Sequence, residues 1–273
     1  MAKKSLAEMS FLDHLEALRW LFIRITLAVL VVSCLSYFII DFIFEEVIFG
    51  PIHPDFITYR LFCEAGTYLG LPSLCIGGFE LNLLNTQMAG QFSLHIWLSM
   101  VAGLILAFPM VLFELWRFIS PGLTEGERKM SVVFIGSASV LFFSGALFGY
   151  YVIVPLSLQF LATYTVSGEI QNLFEMSSYL STITSVVLAT GLLFELPVAV
   201  YLLSRLGLTT PQGMRTYRRH AWIGILAVAA VITPPDVFSQ IVVSLPVALL
   251  YELSIGLSRF AQYQREQRVS NPS

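Results

Sequence analysis

The amino-acid sequence predicts an all-α integral membrane protein with six transmembrane helices, and three observations carry that reading. Of 273 residues, 56% are hydrophobic and only 12% charged, with a mean hydropathy of +0.78. Soluble domains carry roughly a quarter charged residues, so the main solvent of this chain is lipid. Apolar stretches recur at lengths near the roughly 20 residues that span a bilayer. The basic residues, finally, fall almost entirely on one side of those stretches.

The first stretch covers 21–42, and the next three cover 92–115, 131–156 and 179–204. Two shorter ones follow at 221–233 and 237–257, separated only by the turn TPPD, where Pro234 and Pro235 forbid a continuous helix. The segment 221–233 is short for a full span, which a tilt or a thinned bilayer accommodates. The first stretch is longer than the h-region of a cleavable signal sequence, and no A-x-A-like site follows it.

Orientation follows from lysine and arginine. Lys3, Lys4, Arg19 and Arg24 precede or open the first segment, and Arg117, Arg128 and Lys129 lie between the second and third. Arg205, Arg215, Arg218 and Arg219 lie between the fourth and fifth, and Arg259, Arg265 and Arg268 follow the sixth. Arg60 alone stands on the opposite side. This bias predicts both termini in the cytoplasm. With three lysines in the chain there is no basic surface for nucleic acid.

The chain reads as one membrane domain over 1–273: a cytoplasmic interfacial segment 1–20, an outer cap 43–90 between the first two helices, and a cytoplasmic tail 259–273. Residues 10–20, SFLDHLEALRW, repeat apolar positions at helical spacing, as an interfacial helix or a plain anchor does. The cap is rich in acids and holds Cys63 and Cys75, either a disulfide in an oxidising compartment or two packed thiols. Cys34 falls within the first helix. Proline interrupts FPMVLFEL (108–115), LPVAVYLL (196–203) and LPVALLYEL (245–253), and each should kink its helix. Kinked helices predict a concave molecule.

Few residues suggest chemistry. The loop WRFISPGLTEGERK (116–129) concentrates Glu125 and Glu127 beside a Ser-Pro-Gly turn, and a carboxylate there suits a guanidinium through paired hydrogen bonds. The same acids also suit a solvated helix start. Glu195 lies about 13 Å inside its helix end, counted at 1.5 Å per residue, where a carboxylate is costly and should face a cavity or a partner. Glu114 and Glu252 sit near enough to helix ends to reach the interface. Gly145 and Gly149 form a weak GxxxG signal for close packing. No phosphate-binding loop, HExxH, metal-ligand spacing or catalytic grouping around His14, His53, His95 or His220 occurs, so no enzyme, nucleotide-driven pump or cofactor is expected.

Four ordered motifs resemble the TatC family, the multispanning core of the twin-arginine protein translocase. They are HLEALR (14–19), FPMVLFELWRFISPGLTEGERK (108–129), FELPVAV (194–200) and TPPDVFSQ (233–240) followed by PVALLYE. The resemblance implies a receptor that captures twin-arginine signal peptides of folded cargo at the cytoplasmic face of a bacterial inner membrane. It also implies assembly with single-span TatA- and TatB-type subunits into an oligomer, and transport driven by the protonmotive force. It assigns peptide recognition to Glu127, Arg19, Phe118, Pro109 and Arg128, and a buried concave-face role to Glu195. Thr233, Asp236 and Gln240 match the region where a partner helix docks, and Pro51 the outer-cap proline. The family's HLxELR carries its second recognition glutamate where this chain has Ala17; Glu16 stands one residue earlier, a helical step of about 100° away. A reading from another class is a proton-coupled secondary transporter using Glu195, although no inverted repeat is visible.

Overall fold

In the computed structural model, residues 11–70, 75, 79, 81–120, 131–167, 169, 172–234 and 237–270 are described, and most of them are helical. Helix α1 runs Phe11–Tyr37 and α2 runs Ile57–Leu69, the two joined through a short π-helical stretch, Ile43–Ile48, and a turn at Gly50–Ile52. Helices α3 (Gly90–Leu106) and α4 (Phe108–Ile119) follow. Next come α5 (Ser131–Phe148), a π-helical turn (Gly149–Ile153) and α6 (Val154–Thr163). The rest comprises α7 (Met176–Phe194), α8 (Leu196–Arg205), α9 (Pro211–Thr216), α10 (Arg218–Ile232) and α11 (Val237–Ser270). Two-residue strands Leu83–Leu84 and Phe174–Glu175 pair in parallel.

Four helical stretches are long and apolar enough to cross a membrane among the described residues: Leu15–Tyr37, Val132–Thr163, Met176–Arg205 and Val237–Gln264. The pair α3 and α4 passes the same test only when taken together, and is bent by 53° at the break. The remaining predicted segment corresponds to α10, whose 15 residues rise only about 22 Å.

The three predicted proline kinks have different outcomes. At Pro109 and Pro197 the helix is broken, because each proline occupies the first turn of the following helix, where its missing N–H is tolerated. Ala107 and Glu195 are the junction residues, and only the first break bends the axis sharply. Pro246 lies within the unbroken helix α11. Helix α1 is also unbroken, so residues 11–20 are its first turns and continue the axis of the span. At 27 residues, about 40 Å, α1 exceeds the hydrocarbon thickness and leaves room for an end outside it.

The chain divides into two compact units: residues up to Ile48 with Asn85–Val140, and Phe49–Leu84 with Leu141–Ser273. In the first, α1 packs on α3 and α4, and the closest approach is at Gly103. A Cβ on Gly103 would stand 2.5 Å from the Ser33 Cα, so any larger residue would force the two helices apart. In the second unit, Phe142, Ile153, Leu180, Val186 and Val243 are fully buried. The GxxxG pair lies there against α7. A Cβ on Gly145 would stand 2.7 Å from the Thr190 carbonyl oxygen, and one on Gly149 would strike the Thr190 hydroxyl. The cap segment carries a disulfide between Cys63 and Cys75.

Candidate functional site

The residues that the sequence singles out fall in both units, in one group in the first and in several in the second. In the first unit they lie on the early turns of α1 and on α4. Glu16 and Arg19 are exposed on α1, whereas Ala17 is half-buried. Positions 16 and 17 therefore face different surroundings, as the helical step requires. Pro109 and Phe118 of α4 are half-buried. Helix α4 ends in a turn at Ser120, whose hydroxyl donates to the Arg117 carbonyl at 3.2 Å. Glu127, Arg128 and the rest of 121–130 lie outside the described residues.

Both flanks of that loop are held firmly. Trp116, buried on α4, packs on Phe134 of α5 with ring centroids 4.4 Å apart. Glu114 lies two residues before it. Its Oε2 accepts from the Arg24 Nε at 2.6 Å, and its Oε1 lies 3.7 Å from the Arg117 guanidinium. The Glu114 side chain is 14% exposed against 37% for Arg24, so the carboxylate is the more deeply placed partner. This Arg24–Glu114–Arg117 group ties α1 to α4 beside the loop. Sequence reading treats Glu114 as an acid reaching the interface. The pairing joins positions 90 residues apart and leaves no spacing signal in the sequence.

In the second unit Glu195 occupies the junction of α7 and α8. Its N–H donates to the Leu192 carbonyl at 3.1 Å, and its own carbonyl accepts from Ala199 at 2.9 Å. The side chain is half-buried, and its Oε1 is buried with no hydrogen-bond partner among the described residues. Thr190, one turn earlier, is fully buried and donates to the Val186 carbonyl at 2.7 Å.

The α10–α11 hairpin holds the other predicted group. Thr233 is buried and closes α10 by donating to the Ala229 carbonyl at 3.0 Å. Pro234 is half-buried, and Pro235 and Asp236 lie outside the described residues. The Gln240 amide donates to the Leu226 carbonyl at 3.1 Å, so part of its hydrogen-bonding capacity braces the hairpin. At the other end of these two helices Glu252 receives both the Nε and an Nη of Arg218, another pairing between distant positions. Pro51 is fully buried, and its carbonyl accepts from the Tyr59 hydroxyl at 2.7 Å. Burial raises the Tyr59 phenol well above its ordinary range.

A bent α3–α4 pair, a carboxylate at a proline break and a hairpin helix closed at Thr233 now stand at the motif positions. The family model described as Sec-independent protein translocase protein (TatC) matches residues 13–246. The chain belongs to the TatC family. Among curated relatives of this TatC-family protein, that of a Blattabacterium from Periplaneta americana is 35% identical over 260 residues, covering 94% of this chain and 98% of the relative. The TatC protein of Escherichia coli K12 is 38% identical over 178 residues, covering 65% and 69% of the two chains. A crystal structure described as the twin arginine translocase receptor TatC aligns with a TM-score of 0.69 and 28% identity, covering 91% of this chain and 99% of that one. A second crystal structure of that receptor, in DDM, aligns at 0.71 with 27% identity. The chain is thus a multi-pass, all-α membrane protein of a protein-transport family.

Proposed function

We propose that this chain is the receptor and core subunit of a twin-arginine translocase, taking up twin-arginine signal peptides of folded proteins at the cytoplasmic face. The observation that carries the reading is the family match over 13–246 together with alignment, over nine-tenths of the chain, to a structure described as a twin-arginine translocase receptor. The arrangement around the loop supports it. Arg24 pairs with Glu114 near the end of α4, and Trp116 of α4 packs on Phe134 of α5, so the helices on either side of 121–130 are tied to their neighbours.

The recognition group is Glu127, with Arg19, Phe118, Pro109 and Arg128 around it and Glu16 as the acid nearest the vacant family position at Ala17. Glu195 is the intramembrane polar site, and Thr233, Asp236 and Gln240 the docking place for the single helix of a TatA- or TatB-type subunit. The chain crosses the bacterial inner membrane six times with both termini inside, and works as part of an oligomer driven by the protonmotive force.

The test is site-specific photocrosslinking from positions 16, 17 and 127 to a signal peptide carrying either its arginine pair or two lysines. Crosslinks at 127 that vanish with the lysine pair support the reading, because lysine lacks the paired donors of a guanidinium. Equal crosslinking of both peptides overturns it.

A further inference from the structure

Helix α2, in the cap, has three faces rather than two. Thr58, Tyr59 and Gly66 are buried, and Tyr59 and Thr58 anchor the helix by donating to the carbonyls of Pro51 and Tyr151. Arg60, Glu64 and Thr67 form a polar edge, all exposed. Between these lies a third strip, Ile57, Leu61, Ala65 and Tyr68, spaced at i, i+4, i+8 and i+11 so that it stays on one side of the helix. Ile57 is 48% exposed, Leu61 58% and Tyr68 92%. An aqueous cap has no use for an open apolar strip on a helix stapled in place by a disulfide at Cys63.

The level of α2 identifies what covers it. Tyr151, which accepts the Thr58 hydroxyl, lies 20 residues after Ser131, or about 30 Å along α5 and its π-helical continuation. That is the thickness of the hydrocarbon core. One hydrocarbon thickness counted from Ser131, behind the basic Arg128 and Lys129, ends at Tyr150 and Tyr151, and the apolar run that continues to Thr163 turns inward there, with Val154, Leu156 and Leu158 buried. The exposed face of the same helix passes through Leu147, 55% exposed, and Tyr151, 40% exposed. Phe56, at the start of α2, stacks on Tyr151 with ring centroids 5.7 Å apart. The apolar strip of α2 therefore begins where the lipid-facing strip of the span ends.

We infer that α2 is an interfacial helix of the outer leaflet, its strip of Ile57, Leu61, Ala65 and Tyr68 sunk among the upper acyl chains. Arg60 and Glu64 stand along the edge nearest the headgroups, and Arg60, the lone basic residue of the cap, reaches a lipid phosphate by snorkelling. The Thr58 bond to the Tyr151 carbonyl and the Phe56–Tyr151 stack hold the helix to the end of the α5 span, while the disulfide and the Tyr59 bond tie it to the rest of the cap, so α2 sets the depth at which the cap rides on the membrane.

A depth measurement decides this. A genetically encoded fluorescent amino acid is placed singly at 60, 61, 67 and 68, with the disulfide intact, in protein reconstituted into phosphatidylethanolamine–phosphatidylglycerol vesicles. Quenching is read with iodide in the water and with lipids bearing a nitroxide near the headgroup. Positions 61 and 68 are expected to be quenched several-fold more strongly by the nitroxide lipid than 60 and 67, and several-fold less by iodide. Iodide quenching of 61 and 68 equal to that of 67 overturns the inference. Shielding of 61 and 68 that grows with protein density, without nitroxide quenching, also overturns it and assigns the strip to a second copy of the chain.

Discussion

Glu114 is flanked by two guanidinium groups, and the energetics of such a site depend on exposure. Fully buried pairs cost several kcal/mol when one partner is removed, whereas exposed pairs contribute roughly 0–1 kcal/mol. Arg24 is more than a third exposed, so its half of the pair is partly screened. Replacing Glu114 by Ala should destabilise the detergent-solubilised protein by about 1–2 kcal/mol, read as a lower midpoint in thermal unfolding. In a double-mutant cycle, Arg24→Ala in the Glu114→Ala background should cost much less than in the parent, since the partner is already gone. Additive losses would show that the contact is not energetically coupled. Within the same unit, exchanging Ala17 for Glu should raise crosslinking of the arginine-pair signal peptide from position 127 and leave that of the lysine-pair peptide unchanged. The half-burial of position 17 gives an acid there a less watery setting than the one exposed Glu16 occupies. Unchanged yield would indicate that Glu16 already supplies the contact.

In the second unit the last turns of α5 approach α7 through glycine, and the tightness of that contact is a matter of single atoms. Gly145 leaves no room for a Cβ between the Thr190 carbonyl and Phe194, whereas Gly224 and Gly256 have nothing within 4 Å. Gly145→Leu should therefore reduce the yield of folded, monodisperse protein severely, while Gly224→Ala and Gly256→Ala should leave it unchanged, as size-exclusion profiles would show. Equal tolerance at all three positions would contradict the packing. The GxxxG spacing in the sequence hinted at this contact, but it gave no partner, because Thr190 and Phe194 belong to a helix tens of residues away. Proline behaved similarly. The sequence announces that Pro109, Pro197 and Pro246 each remove an N–H, yet only tertiary packing decides whether the axis breaks, bends by 53° or runs on. Lipid-facing stretches, by contrast, were legible directly, since hydropathy and length are local properties and need no partner.

At the scale of the whole molecule the arginine and lysine pattern and the apolar lengths state a topology that helix α10 puts under strain. Its 15 residues rise about 22 Å, well short of a 30 Å core, while α11 runs 34 residues, about 51 Å. The far end of α11 belongs to the tail 259–273, so the mismatch is that of α10: either the bilayer thins beside it or the hairpin tip stops short of the far surface. The bond from Gln240 to the Leu226 carbonyl ties the tip to the body of α10 and fixes its height against α11. If the chain crosses six times, a cysteine at Pro234, placed in a Cys34→Ser background, should react with a membrane-impermeant maleimide added from the side opposite the termini, and a cysteine at Gln262 should not. The tip should also react faster in vesicles made of short-chain lipids, whose thinner core brings position 234 to the surface. Labelling of position 234 only from the side of the termini would mean that α10 and the start of α11 re-enter rather than span, and would reduce the six crossings to four.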